Sequence, residues 1–278
     1  MSQRDRAEEI GCLRRAIAQI EGAPGQGQNA PKARVKLGAD EGPSFSLDLA
    51  FGGGLPTGSL YEVVPERAGD MAAATGFALA LAARLSRARA GAIVWIGQDF
   101  LGSEYAVPYG PGLAAHGLDP ARLILVNVAT TRDLVWAMEE ALKCPACTAV
   151  IGEFWSSRPP AELVASLRLL RAARSSAASG LLLVHRDIDF ACRIFSRLEV
   201  GRVLARAPPG RRKPLPACPV WAVKVLKAQA LAGRSGGLDP DIVRPIVWNP
   251  QGAFFSDALP FAVARKLGDR GGPRAQNA

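Results

Sequence analysis

The 278-residue chain is 49% hydrophobic and 21% charged, which excludes a disordered protein and leaves enough apolar side chain for one large domain with a sizeable core. Its net charge of +9 favours an acidic partner such as nucleic acid but says nothing of fold. No run of about 18 apolar residues is free of charge, and MSQRDRAEEIG is no signal peptide, so a cytoplasmic chain without a membrane segment is expected, its five cysteines as free thiols.

Residues 4–20, RDRAEEIGCLRRAIAQI, bring Ile10, Leu13, Ile17 and Ile20 near one face and predict a short amphipathic helix. EGAPGQGQNAP then reads as a linker, and KARVKLGAD as a short strand. The main body starts near Phe45. A strand is expected over 58–64, then a helix over 71–88 with basic residues in its last turns. Strands follow at 91–97, 121–128, 147–155 and 180–186, with helices at 130–143 and 159–174. Thr130 is available as the N-cap of the first helix, and proline lies in the first turn of the second. Continuous apolar strands alternating with helices mark a parallel sheet covered on both faces. After residue 196 the pattern changes. SRLEVGRVLA, VWAVKVLKAQAL and RPIVWNPQGAFF read as successive strands, added antiparallel at one sheet edge. The expected organisation is an N-terminal helix and linker over 1–44, an α/β core over 45–250, and a C-terminal segment over 251–278 with a disordered basic tail.

Residues 61–77, YEVVPERAGDMAAATGF, have the rhythm of a phosphate-binding loop. Setting the second glycine of G-x-x-x-x-G-K-[ST] on Gly69 puts Val64 at the first glycine, Asp70 at the lysine and Met71 at the hydroxyl residue, with Pro65, Glu66 and Arg67 between. Three of four fixed positions are lost. Val64 resists the positive φ that glycine takes freely. Asp70 sets an anion where a cation would meet the β- and γ-phosphates, and Met71 has no hydroxyl for Mg²⁺. Two unit charges ~5 Å apart repel by roughly 1–3 kcal/mol at dielectrics between water and a protein surface. From the loop alone, an ordinary strand-to-helix turn is the better reading.

The flanks change that weighing. FSLDLAFGGGLPTGSLYEV (45–63) resembles the run that leads into the phosphate loop of RecA-family recombinases. AIVWIGQDF resembles the strand ending in their catalytic glutamate, with Asp99 at that place. HGLDPARLILVN, DLVWAMEEALK and TAVIGEFW follow in the family's order and spacing, SRLEV and WAVKVLKAQ resemble its late strands, and LRRAIAQIEG its N-terminal helix. Within this likeness, GGGLPTGSLYEV and SRLEVGR…WAVKVLKAQ are most similar to the RecA-like inducible mutagenesis protein A (ImuA) family, in which a degenerate phosphate loop is typical. The resemblance implies an α/β fold: a RecA-like core whose mostly parallel, helix-covered sheet is extended by antiparallel edge strands. It also implies a non-catalytic accessory subunit of a damage-inducible translesion synthesis mutasome. The implied partners are ImuB, an inactive relative of Y-family polymerases, and an error-prone C-family DNA polymerase or DNA itself.

Compared with a recombinase, the catalytic parts fail together. Asp70 replaces the loop lysine, Asp99 is a shorter acid, Gly152 stands where a Mg²⁺-linked aspartate is expected with Glu153 beside it, and His185 stands near the switch residue. Phosphoryl transfer needs cation, metal and water-positioning group at once. Little or no ATP hydrolysis is therefore expected and no metal, and ATP binding is not expected. The alternatives are an active ATPase with Arg67 in place of the lysine, and a division inhibitor of the SulA type. Both recombinase DNA loops are shortened, so a filament on single strands is not expected. Arg186, Arg193, Arg197, Arg202, Arg206, Arg211, Arg212 and Lys213 are candidates for contact with DNA or an acidic partner, against the reading of a solvated basic face. Leu13 and Ile17 are candidates for self-association or contact with a RecA protomer, Leu259 and Phe261 for partner docking. Cys144-Pro-Ala-Cys147 lacks a second ligand pair and ends a helix instead of opening one, so it reads as structural.

Overall fold

The computed structural model describes residues 33–98, 108–155, 162–184, 194–202, 218–228 and 241–258. Along the chain run β1 (Arg34–Val35), α1 (Ser46–Ala50), β2 (Leu55–Pro56), β3 (Leu60–Pro65), α2 (Met71–Ala88), β4 (Ala92–Gln98), α3 (Gly110–Ala115) and β5 (Leu123–Val128). Then come α4 (Thr131–Lys143), β6 (Cys147–Phe154), α5 (Glu162–Ser176), β7 (Ser179–Val184), β8 (Ser196–Arg202), β9 (Val220–Ala228), β10 (Arg244–Asn249) and β11 (Phe254–Asp257). Among the described residues nine strands form one sheet in the order β11-β10-β9-β8-β3-β7-β6-β4-β5. Strands β8 to β5 in that order run parallel, and β9, β10 and β11 are antiparallel. This is the expected architecture, an α/β core whose mostly parallel, helix-covered sheet is extended by antiparallel strands at one edge.

Two apolar layers cover the sheet. Ala74, Phe77, Ala78, Leu81 and Leu85 of α2, spaced at three and four residues, pack on one face against Tyr61, Val63, Trp95, Ile151 and Leu198. Leu134, Met138 and Leu142 of α4, with Leu169 and Ala173 of α5, cover Leu60, Val94, Val150 and Leu182 on the other. The Thr130 hydroxyl accepts from the Asp133 backbone N–H at 3.2 Å and caps α4 as its residue type predicts. Among the described residues no helix is long and apolar enough to cross a membrane.

Three expectations need correction. SRLEVGR forms β8, which pairs parallel with β3; the antiparallel extension begins only at β9. Strand direction depends on which neighbour a strand finds, and a period-two pattern does not encode that. ARLILVNV forms β5, the outermost strand beside β4, where Ile124 and Leu125 are 50% and 42% exposed, so it is not a strand buried on both faces. The packed core also reaches beyond 45–250, because Val35, Leu37 and Phe255 are buried in it. Asp48 explains the N-terminal part: its carboxylate accepts the backbone N–H groups of Leu37 (2.7 Å) and Gly38 (2.9 Å). Arg84 holds the same segment through the carbonyls of Lys36 and Gly38 and the carboxylate of Asp40. The helix expected over 4–20, with Leu13 and Ile17, and the tail, with Leu259 and Phe261, lie outside the described residues.

Candidate functional site

The loop between β3 and α2 lies against β8. The Glu66 N–H donates to the Val200 carbonyl at 2.8 Å, extending the β3–β8 ladder past Pro65, and Val64 is buried against the α4–α5 layer. The Glu66 carboxylate packs over Gly201, 3.9 Å from the Lys224 ammonium. Ala68–Asp70 then make a 3-10 turn into α2. Gly69 is exposed in that turn, has no positive φ and has open space where a Cβ would stand, so the conformation does not demand glycine there. Arg67 is exposed. Asp70 is only 3% exposed and lies 3.2 Å from the Nε of Arg202 on β8. A carboxylate thus sits buried immediately before α2, where the helix dipole and free N–H groups would otherwise favour a bound anion.

Beside the loop opens a cleft of about 560 Å³, between the first turns of α2, the ends of β4, β5 and β6, and α3. Met71, Thr75 and Leu79 form one wall, and Trp95, Tyr109, His116 and Trp155 supply aromatic surface. Glu153 is half-buried inside, and its Oε2 accepts the Trp95 indole N–H at 3.3 Å. Burial pushes its pKa up, and hydrogen bonds from the Trp155 and Trp95 side chains partly oppose that. Gly97 of β4 lies across from this carboxylate; a Cβ there would stand 3.8 Å from Oε2. Gly152 faces the other way, against Met138 of α4. Of the two neighbours in GEF, only Glu153 therefore reaches the cleft. Gln98 is buried with its amide nitrogen 3.4 Å from the Thr131 hydroxyl, and Asp99, next along the chain, lies outside the described residues.

No family model matches the chain. Over 205 residues it is 30% identical to Protein ImuA of Caulobacter vibrioides strain NA1000 / CB15N, covering 69% of this chain and 78% of that protein. The match to Protein ImuA of Caulobacter vibrioides strain ATCC 19089 / CIP 103742 / CB 15 has the same identity and coverage. The chain belongs to the ImuA family. Among solved structures it is similar to a crystal structure of the RadB recombinase, with a TM-score of 0.48 and 13% identity over 77% of this chain and 97% of that one.

In this ImuA-family chain the two described members of the basic set both have acidic neighbours. Arg197 stands 3.6 Å from the fully buried Glu62, and Arg202 pairs with Asp70. Arg186, Arg193, Arg206, Arg211, Arg212 and Lys213, and His185 with them, lie outside the described residues. Cys144 closes α4 and Cys147 opens β6; burial first, then the neighbouring Cys144, pushes the Cys147 thiol up to about 11, which suits a structural role. Sequence reasoning missed the aromatic cleft, because tryptophan inside an apolar strand reads as core. Only the run GEFW offered a signal, by setting an acid beside an aromatic residue near a strand end.

His116 at the cleft edge bonds the Gly76 carbonyl through Nε2 at 2.8 Å, with the rings of Trp221 and Trp248 at 6.1 and 6.0 Å. Burial lowers its pKa, and the bond to Gly76 opposes the shift. The unfolded chain then binds more protons than the native one, so stability is full above about pH 6.5 and is lost as pH falls through the lower folded value. The denaturant midpoint should drop between about pH 7.5 and about pH 5 by more in the wild type than in His116→Gln. Equal drops would dismiss this residue as the cause.

Proposed function

We propose that this ImuA-family chain is a non-catalytic, RecA-like accessory subunit of a damage-inducible translesion synthesis assembly. It acts by contact with ImuB, and with an error-prone C-family polymerase or DNA as further contacts. The observation that carries the reading is the buried Asp70 at the head of α2, paired with Arg202 of β8. A triphosphate placed there would meet a carboxylate where nucleotide chemistry needs a cation. Glu153 adds a second negative group in the adjoining cleft. Family membership supplies the biological setting, and the surfaces that remain supply the means.

Titration calorimetry with ATP and with ADP, in Mg²⁺, is the test. No heat of binding is expected at millimolar nucleotide, and purified ImuB should co-elute with the chain on size exclusion. Nucleotide binding with DNA-stimulated turnover would overturn the non-catalytic reading and put the ATPase alternative in its place. Failure to co-elute would remove ImuB as the direct partner.

A further inference from the structure

The cleft beside the loop has a chemical character of its own. Its described lining contains no lysine or arginine, and Glu153 is the carboxylate among it. The side chains that hydrogen-bond Glu153, those of Trp155 and Trp95, are both neutral. His116, the remaining titratable nitrogen, is bonded to Gly76 and favoured in its neutral form by burial. A carboxylate held among indole, phenol and aliphatic walls is under-compensated, and a cation brought to it gains both charge and ring contacts. Phosphate would be repelled by the same group.

We propose that this cleft is a receptor for an arginine side chain presented by a protein partner. Guanidinium is planar, offers a fork of donors to a carboxylate and stacks on aromatic faces, which matches Glu153 flanked by Trp95 and Trp155 better than the compact ammonium of lysine. A volume of about 560 Å³ holds the side chain together with part of the residue that carries it. The rim favours a protein over a free small molecule. Tyr109 is 73% exposed and Leu125 42% exposed at the mouth, an apolar border around a polar centre of the kind that surrounds an interface anchor. The choice of a protein donor rests on the interaction role proposed above, whereas the preference of the cleft for guanidinium does not.

The full chain would be titrated with N-acetyl-arginine amide, with Trp95 and Trp155 fluorescence as the readout, and in parallel with the uncharged N-acetyl-citrulline amide. A saturable change with the arginine probe only is expected. Glu153→Gln, which keeps shape and removes charge, should weaken it at least tenfold. Gly97→Leu, which fills the cleft from the opposite strand, should abolish it while Glu153 remains. Equal responses to both probes, no saturable response, or an undiminished response in Glu153→Gln would each overturn the proposal. A wild-type self-assembly that dissociates in Glu153→Gln would make a second copy the donor and overturn the assignment to a different protein. The calorimetry with ATP fails independently: silence toward both arginine and ATP removes this proposal and leaves the non-catalytic reading standing.

Discussion

Gly152→Asp, the substitution that would restore an acid at the recombinase position, is expected to cost about 5 kcal/mol or more, without creating a metal site. The direction of the residue decides this. β6 lies between β4 and β7, so its backbone is held by ladders on both sides. Side chains at 150, 152 and 154 point into the layer under α4, where Val150 and Phe154 pack. A Cβ at 152 would overlap the Met138 sulfur and lie 2.9 Å from its Cε, and Met138 is fully buried. Overpacking alone costs typically 1–3 kcal/mol, and a buried carboxylate without a partner adds several more. Against a usual net stability of about 5–15 kcal/mol, that is a third of the stability or more. Urea unfolding of Gly152→Ala, Gly152→Asp and each with Met138→Ala separates the two costs. Shortening Met138 should rescue the alanine variant largely and the aspartate variant little. A Gly152→Asp protein with the wild-type midpoint would show that the side chain escapes the layer and does not meet Met138.

Gly54→Ala should cost about 3–5 kcal/mol, far more than alanine at its neighbour Gly53. Both glycines hold positive φ, +111° and +105°, so both lose the conformational freedom that only glycine has there. The difference is proximity. A Cβ at Gly53 meets nothing within 4 Å, whereas one at Gly54 would run into the Val35 carbonyl and sit 3.0 Å from the Lys36 Cα. Those are backbone atoms and cannot rotate away. They are pinned by the β1–β2 pairing of Arg34 with Pro56 and Val35 with Leu55, and by Arg34 Nη1 bonding the carbonyls of Phe51 and Gly54, each at 2.7 Å. Parallel thermal melts of the two variants check this. A Gly54→Ala midpoint no lower than that of Gly53→Ala would discard the close-approach account and leave only torsional strain.

These glycines also show where the family resemblance came from. FSLDLAFGGGLPTG contributes no group to the cleft. Asp48 accepts two backbone N–H groups of the incoming strand, Gly54 lets that strand pass, and Gly58 approaches the end of α5, its Cβ position 3.1 Å from the Ala173 carbonyl. The motif is legible because it builds the core's entrance, and this chain needs that entrance whether or not it binds a nucleotide.

The sequence by itself determined the long elements and most of their bounds, but not the short helices α1 and α3. Met71–Ala88 carries a helical period, and the apolar runs at β4, β6 and β7 read as strands, because such periods are properties of neighbouring residues. It also determined the loss of the phosphate loop's fixed residues, which is a matter of identity and spacing. Only the tertiary structure decided that β8 runs parallel to β3, that β5 is the sheet's outer strand, and that Asp70 meets Arg202 across 132 positions of chain. The same holds for Trp95, Glu153 and Trp155, brought around one cleft from two strands and the turn beyond. Each depends on which segments become neighbours, and pairing energy between distant segments leaves no periodic trace in either of them.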